Sequence, residues 1–455
     1  MLDYQFWSAP VDDLTDWTSN GVNYQAKQDP IYNPYKMQHM YAPDVVKGND
    51  GKYYLYYCMS GYGGKGCYAN PISVAVSDKP DGIYKYLGIV QDKSGNPLMT
   101  YICFDPALIN DDGKIRLYYG ASFEFDEHRR FGNNFIFDLV QSKMFNRSIQ
   151  TIRNTPGGVM GAFTVELEDD MLTAKTDPIR ILGNIAKGTT FEEHGFFEAS
   201  SIRKIDETYY FIYSSRKNHE LCYATSVYPD RDFIYRGVIV SNGDIGYLGR
   251  MEHQKNNATG TNHGSIESVN GQWYVFYHRL THLSDFSRQA CAEPITILDD
   301  GSIPQVGITS YGLNNQPLKD VGTYPSVIAC HITSNTNMPH GTYKRKTLYP
   351  SVFSDSKDRY IANIQNGTKI GYKNFLFYGE NYQLTLEIRG SATGLLSIYL
   401  DEEKKQIIGK TELIALSEWH PISLLINVPS GEFPMFFYFE GEGILELLEF
   451  TLQRI

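Results

Sequence analysis

Four segments of this chain repeat one pattern: a charged or imidazole residue, a short apolar strand, a turn, then an aromatic strand. Tyr41-Ala-Pro-Asp44-Val-Val leads to Lys52-Tyr-Tyr-Leu-Tyr-Tyr57, and Phe104-Asp105-Pro-Ala-Leu-Ile leads to Lys114-Ile-Arg-Leu-Tyr-Tyr119. Phe197-Glu198-Ala-Ser-Ser-Ile leads to Thr208-Tyr-Tyr-Phe-Ile-Tyr213, and Asn262-His263-Gly-Ser-Ile leads to Gln272-Trp-Tyr-Val-Phe-Tyr277. Self-similarity at a period of tens of residues, with several short strands per unit, predicts a radial β repeat. In a β-propeller the inner strands all point one end at the axis, so residues at one register converge. The aromatic strands align Asp105, Glu198 and His263, which puts two carboxylates and an imidazole at one site.

Walking along the chain fills in the units. The first complete one continues through Ile72–Val76 and Tyr84–Val90, separated by Gly, Pro, Asn and Asp turn residues. The unit opening at Asp105 is interrupted by a long, less regular stretch from about Ser122 to Gly158, expected as an insertion that walls the site or merely decorates it. The unit from Glu198 is regular, and the last continues through Trp273–Tyr277, Gln289–Leu298 and Ile303–Ile308. Before Asp44 lie only two strand-like pieces, around Tyr4–Ser8 and Asp16–Val22. They resemble the outer half of a unit, so the count is four complete units and half of a fifth. Residues 312–343 form a Pro-, Gly- and Asn-rich connector, and alternating strands then recur without the inner-strand motif. The expectation is all-β: a five-bladed propeller over 1–311, its first blade lacking its inner strands, and a β-sandwich within 312–455.

The chain carries 35 Tyr and 24 Phe against 4 Trp. Aromatic enrichment suits strands and also suits surfaces that bind sugars through a flat ring with a polar edge. A net charge of −11 argues against nucleic acid as a partner. No apolar run approaches the ~20 residues of a membrane span. The six cysteines show no paired-ligand spacing and are expected as reduced thiols in a core. Without a basic stretch followed by an apolar one at its start, the chain as written is expected to be cytoplasmic.

Taken together, these residues resemble glycoside hydrolase family 43, whose propellers act as β-xylosidases, α-L-arabinofuranosidases or arabinanases. The matching pieces are Tyr41-Ala-Pro-Asp44-Val with Gly51-Lys-Tyr-Tyr-Leu-Tyr-Tyr57, Phe104-Asp105-Pro106 with Asp111-Asp-Gly113, Phe197-Glu198-Ala199, Gly260-Thr-Asn-His263-Gly264, Tyr277-His278 and Arg288-Gln289. The tail resembles a family 6 carbohydrate-binding module through Ile370-Gly-Tyr-Lys-Asn-Phe375 and Trp419, a weaker match.

The resemblance implies an inverting glycosidase acting on arabinose- or xylose-containing plant saccharides. Such chemistry needs an acid to protonate the leaving oxygen and a base to activate water. Glu198 corresponds to the acid, and Phe196 and Phe197 are expected to desolvate it and hold its proton. Asp105 corresponds to the carboxylate that orients the acid, and His263 to an axial histidine facing a Ca2+ ion at the propeller centre. Tyr41, Phe104, Phe197, His278 and Arg288 correspond to sugar-contacting positions. Read without the family, Glu198 is a strand-end ion-pair residue, Asp105 an Asp-Pro turn, His263 a hydrogen-bonded core histidine and Arg288 a structural cation. The family's general base is an Asp on the innermost strand of the first blade, which should precede Asp3. Asp44 sits one residue off the aligned register, which turns its side chain to the other face. Hence the expectation of an upstream start or a poorly active form, with a non-catalytic sugar-binding relative as the alternative.

Overall fold

The computed structural model describes every residue except 1, 34, 36–37, 61–69, 123–134, 146, 156–157 and 315, and the side chains of 136, 137, 144 and 346. The chain is all-β. Cα packing divides it into two compact units: Met1–Val238 with His263–Ile266 and Asp299–Ile303, and Ile239–Asn262 with Glu267–Leu298 and Pro304–Ile455.

The N-terminal half folds as successive antiparallel sheets, each built from strands adjacent in sequence. Asp3–Ser8 pairs with Thr18–Gln25 in a two-stranded sheet. Met40–Lys47, Tyr53–Met59, Ile72–Ser77 and Lys85–Ile89 form a four-stranded sheet in chain order. Ala107–Asp111, Lys114–Ala121, Gly161–Glu166 and Ile179–Leu182 form the next, and Phe196–Ile205, Thr208–Ser215, Glu220–Ser226 and Ile234–Ser241 another. Each repeated motif thus supplies the first two strands of a sheet, as the sequence predicts. Of the irregular stretch expected over 122–158, residues 123–134 lie outside the described residues. The remainder lies between two adjacent strands of one sheet and holds two α-helices, Phe135–Phe145 and Ile149–Asn154. Ser148 caps the second by accepting the Thr151 amide at 3.0 Å, and Arg153 pairs with Asp138 at 2.7 Å.

The aromatic strands are inward-facing on both sides, which is why they read as near-continuous aromatic runs. Tyr56, Tyr57, Tyr118, Tyr119 and Tyr213 are fully buried. Burial drives their phenols far above their ordinary range, so they stay neutral. Tyr56 donates to the Met171 carbonyl at 2.5 Å, Tyr118 to the Pro229 carbonyl at 2.7 Å and Tyr213 to the His194 carbonyl at 2.8 Å. Consecutive sheets share cores: Tyr4, Tyr24 and Leu55 between the first and second, Tyr56, Leu117 and Phe163 between the second and third, and Tyr118, Phe211 and Cys222 between the third and fourth. Five cysteines are free thiols, four of them buried; Cys67 lies outside the described residues.

Gly264–Val269, Gln272–Thr281 and Ser284–Ile295 make a three-stranded sheet. The fourth strand expected at Ile303–Ile308 does not form. The Val306 amide bonds the Ile239 carbonyl and the Ile308 amide the Asp244 carboxylate instead. Two six-stranded sheets follow. One is built on Thr368–Tyr378, Ser430–Glu442, Thr393–Tyr399 and Ile407–Ile414, the other on Arg359–Ile364, Leu445–Arg454, Asn381–Gly390 and His420–Asn427. They enclose one core that includes Tyr372, Phe375, Leu384, Phe437 and Phe450. The connector is not bare loop: Leu318–Lys319, Gly322–Pro325 and His331–Thr333 add short strands to these sheets.

Candidate active site

The strand carrying Glu198, Phe196–Ile205, is the first of its sheet and pairs on one side only. Its ladder to Thr208–Ser215 is interrupted on both sides of Glu198, which sits opposite Ser214 between two register shifts. Bulges re-aim a side chain and leave backbone groups off the ladder. Ala199 accordingly adopts a left-handed conformation with φ 69°, and its amide donates to Asp105 Oδ2 at 2.8 Å. Asp105 is itself left-handed, with φ 48°, and buried at 3% exposure. Its carboxylate therefore holds the backbone directly after Glu198. His263 Nδ1 lies 3.8 Å from the same Asp105 oxygen, so Asp105, His263 and the Glu198 strand end do meet.

The register differs from the one the aromatic strands predict. Strand pairing sets Glu198 opposite Ser214 and Tyr41 opposite Cys58, and Gly120 donates to the Phe104 carbonyl at 2.8 Å. Glu198 is thus equivalent to Tyr41 and Phe104, while Asp105 matches Ala199 and Ala42, each with positive φ. Asp44 matches Ala107 and Ser201. Its carboxylate accepts the Leu108 amide at 2.7 Å and the Val45 amide at 2.9 Å, and burial raises it despite nearby Arg203 and those two bonds.

Around Glu198, Phe196 is buried and Phe197 and Glu198 are half-buried. Tyr41 is half-buried with its ring 6.0 Å from that of Phe104. Phe104 is 5% exposed and belongs to the core, so it offers a ligand almost no surface. In the second unit, His278 Nε2 and Arg288 Nη1 are 3.2 Å apart, and the exposed Arg288 donates through Nε to the Asp285 carbonyl at 2.9 Å.

Several polar residues beside Glu198 carried no signal in the sequence. The Ser122 amide donates to the Phe197 carbonyl at 2.7 Å, and Arg216 Nε to the Phe196 carbonyl at 3.3 Å. His194 bonds Glu220 at 2.6 Å, and Ser215 donates to the same carboxylate at 2.6 Å. Although burial opposes it, these bonds hold Glu220 below the usual carboxylate range. With Cys222 these make the one group of clustered metal-ligating side chains found among the described residues. Its 2.6 Å contact is a hydrogen bond, and burial pushes the Cys222 thiol well up, so the group is a satisfied polar cluster. His263 and the Asp105 carboxylate, which already accepts an amide, are the two groups there that would face a Ca2+ ion, whose shell of six to eight ligands would then be completed largely by water. No catalytic step is assigned to a metal.

The model of the glycosyl hydrolases family 43 matches residues 4–133 and 144–303. The chain is 37% identical over 466 residues to a xylosidase/arabinosidase of Thermoclostridium stercorarium, covering 99% of this chain and 90% of that one. It is 30% identical over 250 residues to a xylosidase/arabinosidase of Bacteroides ovatus, covering 54% of this chain and 66% of the relative. Among solved structures, a family 43 β-xylosidase/α-arabinofuranosidase from a compost microbial metagenome, calcium-free and in complex with xylotriose, is 28% identical with a TM-score of 0.47, covering 67% of this chain and 83% of that one. The family-model match and the 37% identical relative lead to one conclusion: the chain belongs to glycosyl hydrolase family 43 and hydrolyses O-glycosyl bonds.

Proposed function

We propose that this chain is an inverting glycoside hydrolase that removes arabinose or xylose units from plant polysaccharides or oligosaccharides. The observation that carries the reading is the Asp105 carboxylate bonded at 2.8 Å to the amide that follows Glu198. Glu198 is the general acid, delivering its proton to the leaving glycosidic oxygen as the C–O bond breaks. Asp105 holds the acid's backbone and places a negative charge beside it. Tyr41 and Phe197 contact the sugar. Asp44 is not assigned as the base that activates water, because two amides and burial already occupy it. In this reading the five N-terminal sheets are blades of a propeller and the two six-stranded sheets a β-sandwich. The xylosidase/arabinosidase names of the matched relatives support the substrate class.

The test is turnover of nitrophenyl β-xyloside and α-L-arabinofuranoside, with the released anomer followed by NMR. Glu198→Gln is expected to lose roughly 10²–10⁴-fold on substrates with poor leaving groups, the usual span of general acid catalysis. A Glu198→Gln enzyme as fast as wild type, or product of retained configuration, would overturn the assignment.

A further inference from the structure

A general acid on an edge strand has a positioning problem. Only one side of the Glu198 strand is paired, and the ladder is broken on both sides of the acid. Three bonds outside the ladder compensate. Asp105 accepts the Ala199 amide after the acid, Ser122 donates its amide to Phe197 O, and Arg216 donates from Nε to Phe196 O. Arg216 differs from the other two because its remaining donors reach further. Nη2 donates to Ser122 Oγ at 2.9 Å and to the Asn184 carbonyl, and Ser122 Oγ closes the ring by donating to Asn184 Oδ1. The Arg216 amide also bonds the Gly195 carbonyl at 2.9 Å. A Cβ at Gly195 would lie 3.3 Å from Arg216 Nε, so the guanidinium lies directly against the backbone leading to the acid.

We infer that Arg216 is a positioning residue for the general acid, its guanidinium clamping the Phe196–Phe197 backbone to Ser122 and Asn184 so that Glu198 meets the leaving oxygen. The inference rests on the reading of Glu198 as the acid. A planar fork with several fixed donors serves three acceptors at once, which a single ammonium does not. Small displacements of a catalytic group are costly, with ~1 Å worth about 10²-fold.

Leaving-group dependence separates positioning from general structural support. A dinitrophenyl glycoside departs with little need of a proton, whereas a phenyl glycoside of the same sugar needs one. The full-length wild type, Glu198→Gln, Arg216→Met, Arg216→Lys and Asn184→Ala would be compared on both, using whichever sugar the enzyme turns over. Arg216→Met and Arg216→Lys are expected to lose about 10–100-fold in kcat on the phenyl glycoside, far less on the dinitrophenyl one, with KM little changed. Asn184→Ala, which removes one corner of the clamp and serves if the arginine variants misfold, should show the same bias more weakly. Equal losses on both glycosides in the Arg216 and Asn184 variants, or none, would overturn the inference. If Glu198→Gln itself shows no bias toward the phenyl glycoside, the acid assignment falls; if it does and the clamp variants do not, only the inference falls.

Discussion

Asp105 carries two loads that substitution can separate. Its left-handed backbone suits Asp or Asn, and its Oδ2 satisfies a buried amide. Asp105→Asn keeps an acceptor for the Ala199 amide and removes the charge, so it should lose activity with little change in thermal unfolding. Asp105→Ala strands the amide and strains the backbone, so a further loss of about 1–3 kcal/mol is expected in denaturant unfolding. A second buried acid concerns stability alone. Burial pushes Glu293 up to about 7, against the bonds from Thr309 and Tyr277. The fold holds a proton that the unfolded chain, with its ordinary value of 4.5, has released. The contribution of Glu293 to stability is therefore complete below 4.5 and is lost as pH rises toward 7. Melting temperature should fall across that window for this reason, and Glu293→Gln should flatten the fall.

At the scale of strands, the hydrophobic and aromatic pattern was a reliable guide wherever it ran nearly unbroken. The aromatic runs Tyr53–Tyr57, Ile115–Tyr119 and Tyr209–Tyr213 became the second strands of three sheets because most of their side chains, on both faces, are buried. The pattern failed at the inner-strand tips. Bulges beside Glu198, and between Tyr41 and Asp44, add residues that no periodicity reveals, so Asp105 aligns with Ala199 instead of Glu198. Asp105, Glu198 and His263 could be picked out by residue type, but their geometry could not. Arg216, Ser122 and Asn184 stayed silent because each acts through backbone carbonyls or one another, and their partners are far away in sequence. Glycine at the end of Lys114–Ala121 shows how tightly these tips are built. Gly120 has φ 140°, and a Cβ there would sit 2.0 Å from the Gly161 carbonyl. Gly120→Ala should therefore cost roughly 1–3 kcal/mol by overpacking. It should also disturb Ser122, two residues on, whose amide holds Phe197. A variant with wild-type stability and turnover would show that the strand end is looser than described.

Across the whole molecule, the composition change near residue 312 suggests a division that packing draws elsewhere. Residues 239–262 and 267–298 group with the C-terminal sheets, and the bonds within that unit show why. Arg279, 5% exposed, donates Nη2 to the Val327 carbonyl at 2.8 Å and Nη1 to the Ala329 carbonyl. Buried Asp244 pairs with Lys373 at 3.2 Å, and Arg250 pairs with Glu402 at 2.7 Å. The Asn257 side chain reaches the Cys330 carbonyl at 2.6 Å, and the Ile332 amide reaches Asn256. A chain cut after residue 311 keeps Arg279, Asp244 and Asn257 but removes every one of these partners. Removing one member of a buried charged pair costs several kcal/mol, because the remaining charge is uncompensated. Against a total stability of about 5–15 kcal/mol, that loss at Asp244 together with the lost carbonyl acceptors of buried Arg279 is enough to unfold the last sheet. The chain 1–311 should thus be recovered aggregated, or should melt far below the full-length enzyme and turn over nitrophenyl glycosides poorly. If instead it is soluble, melts cooperatively near the full-length temperature and retains activity, the boundary at 311 is the true one, and the bonds from Arg279 and Asp244 contribute little to holding the last sheet.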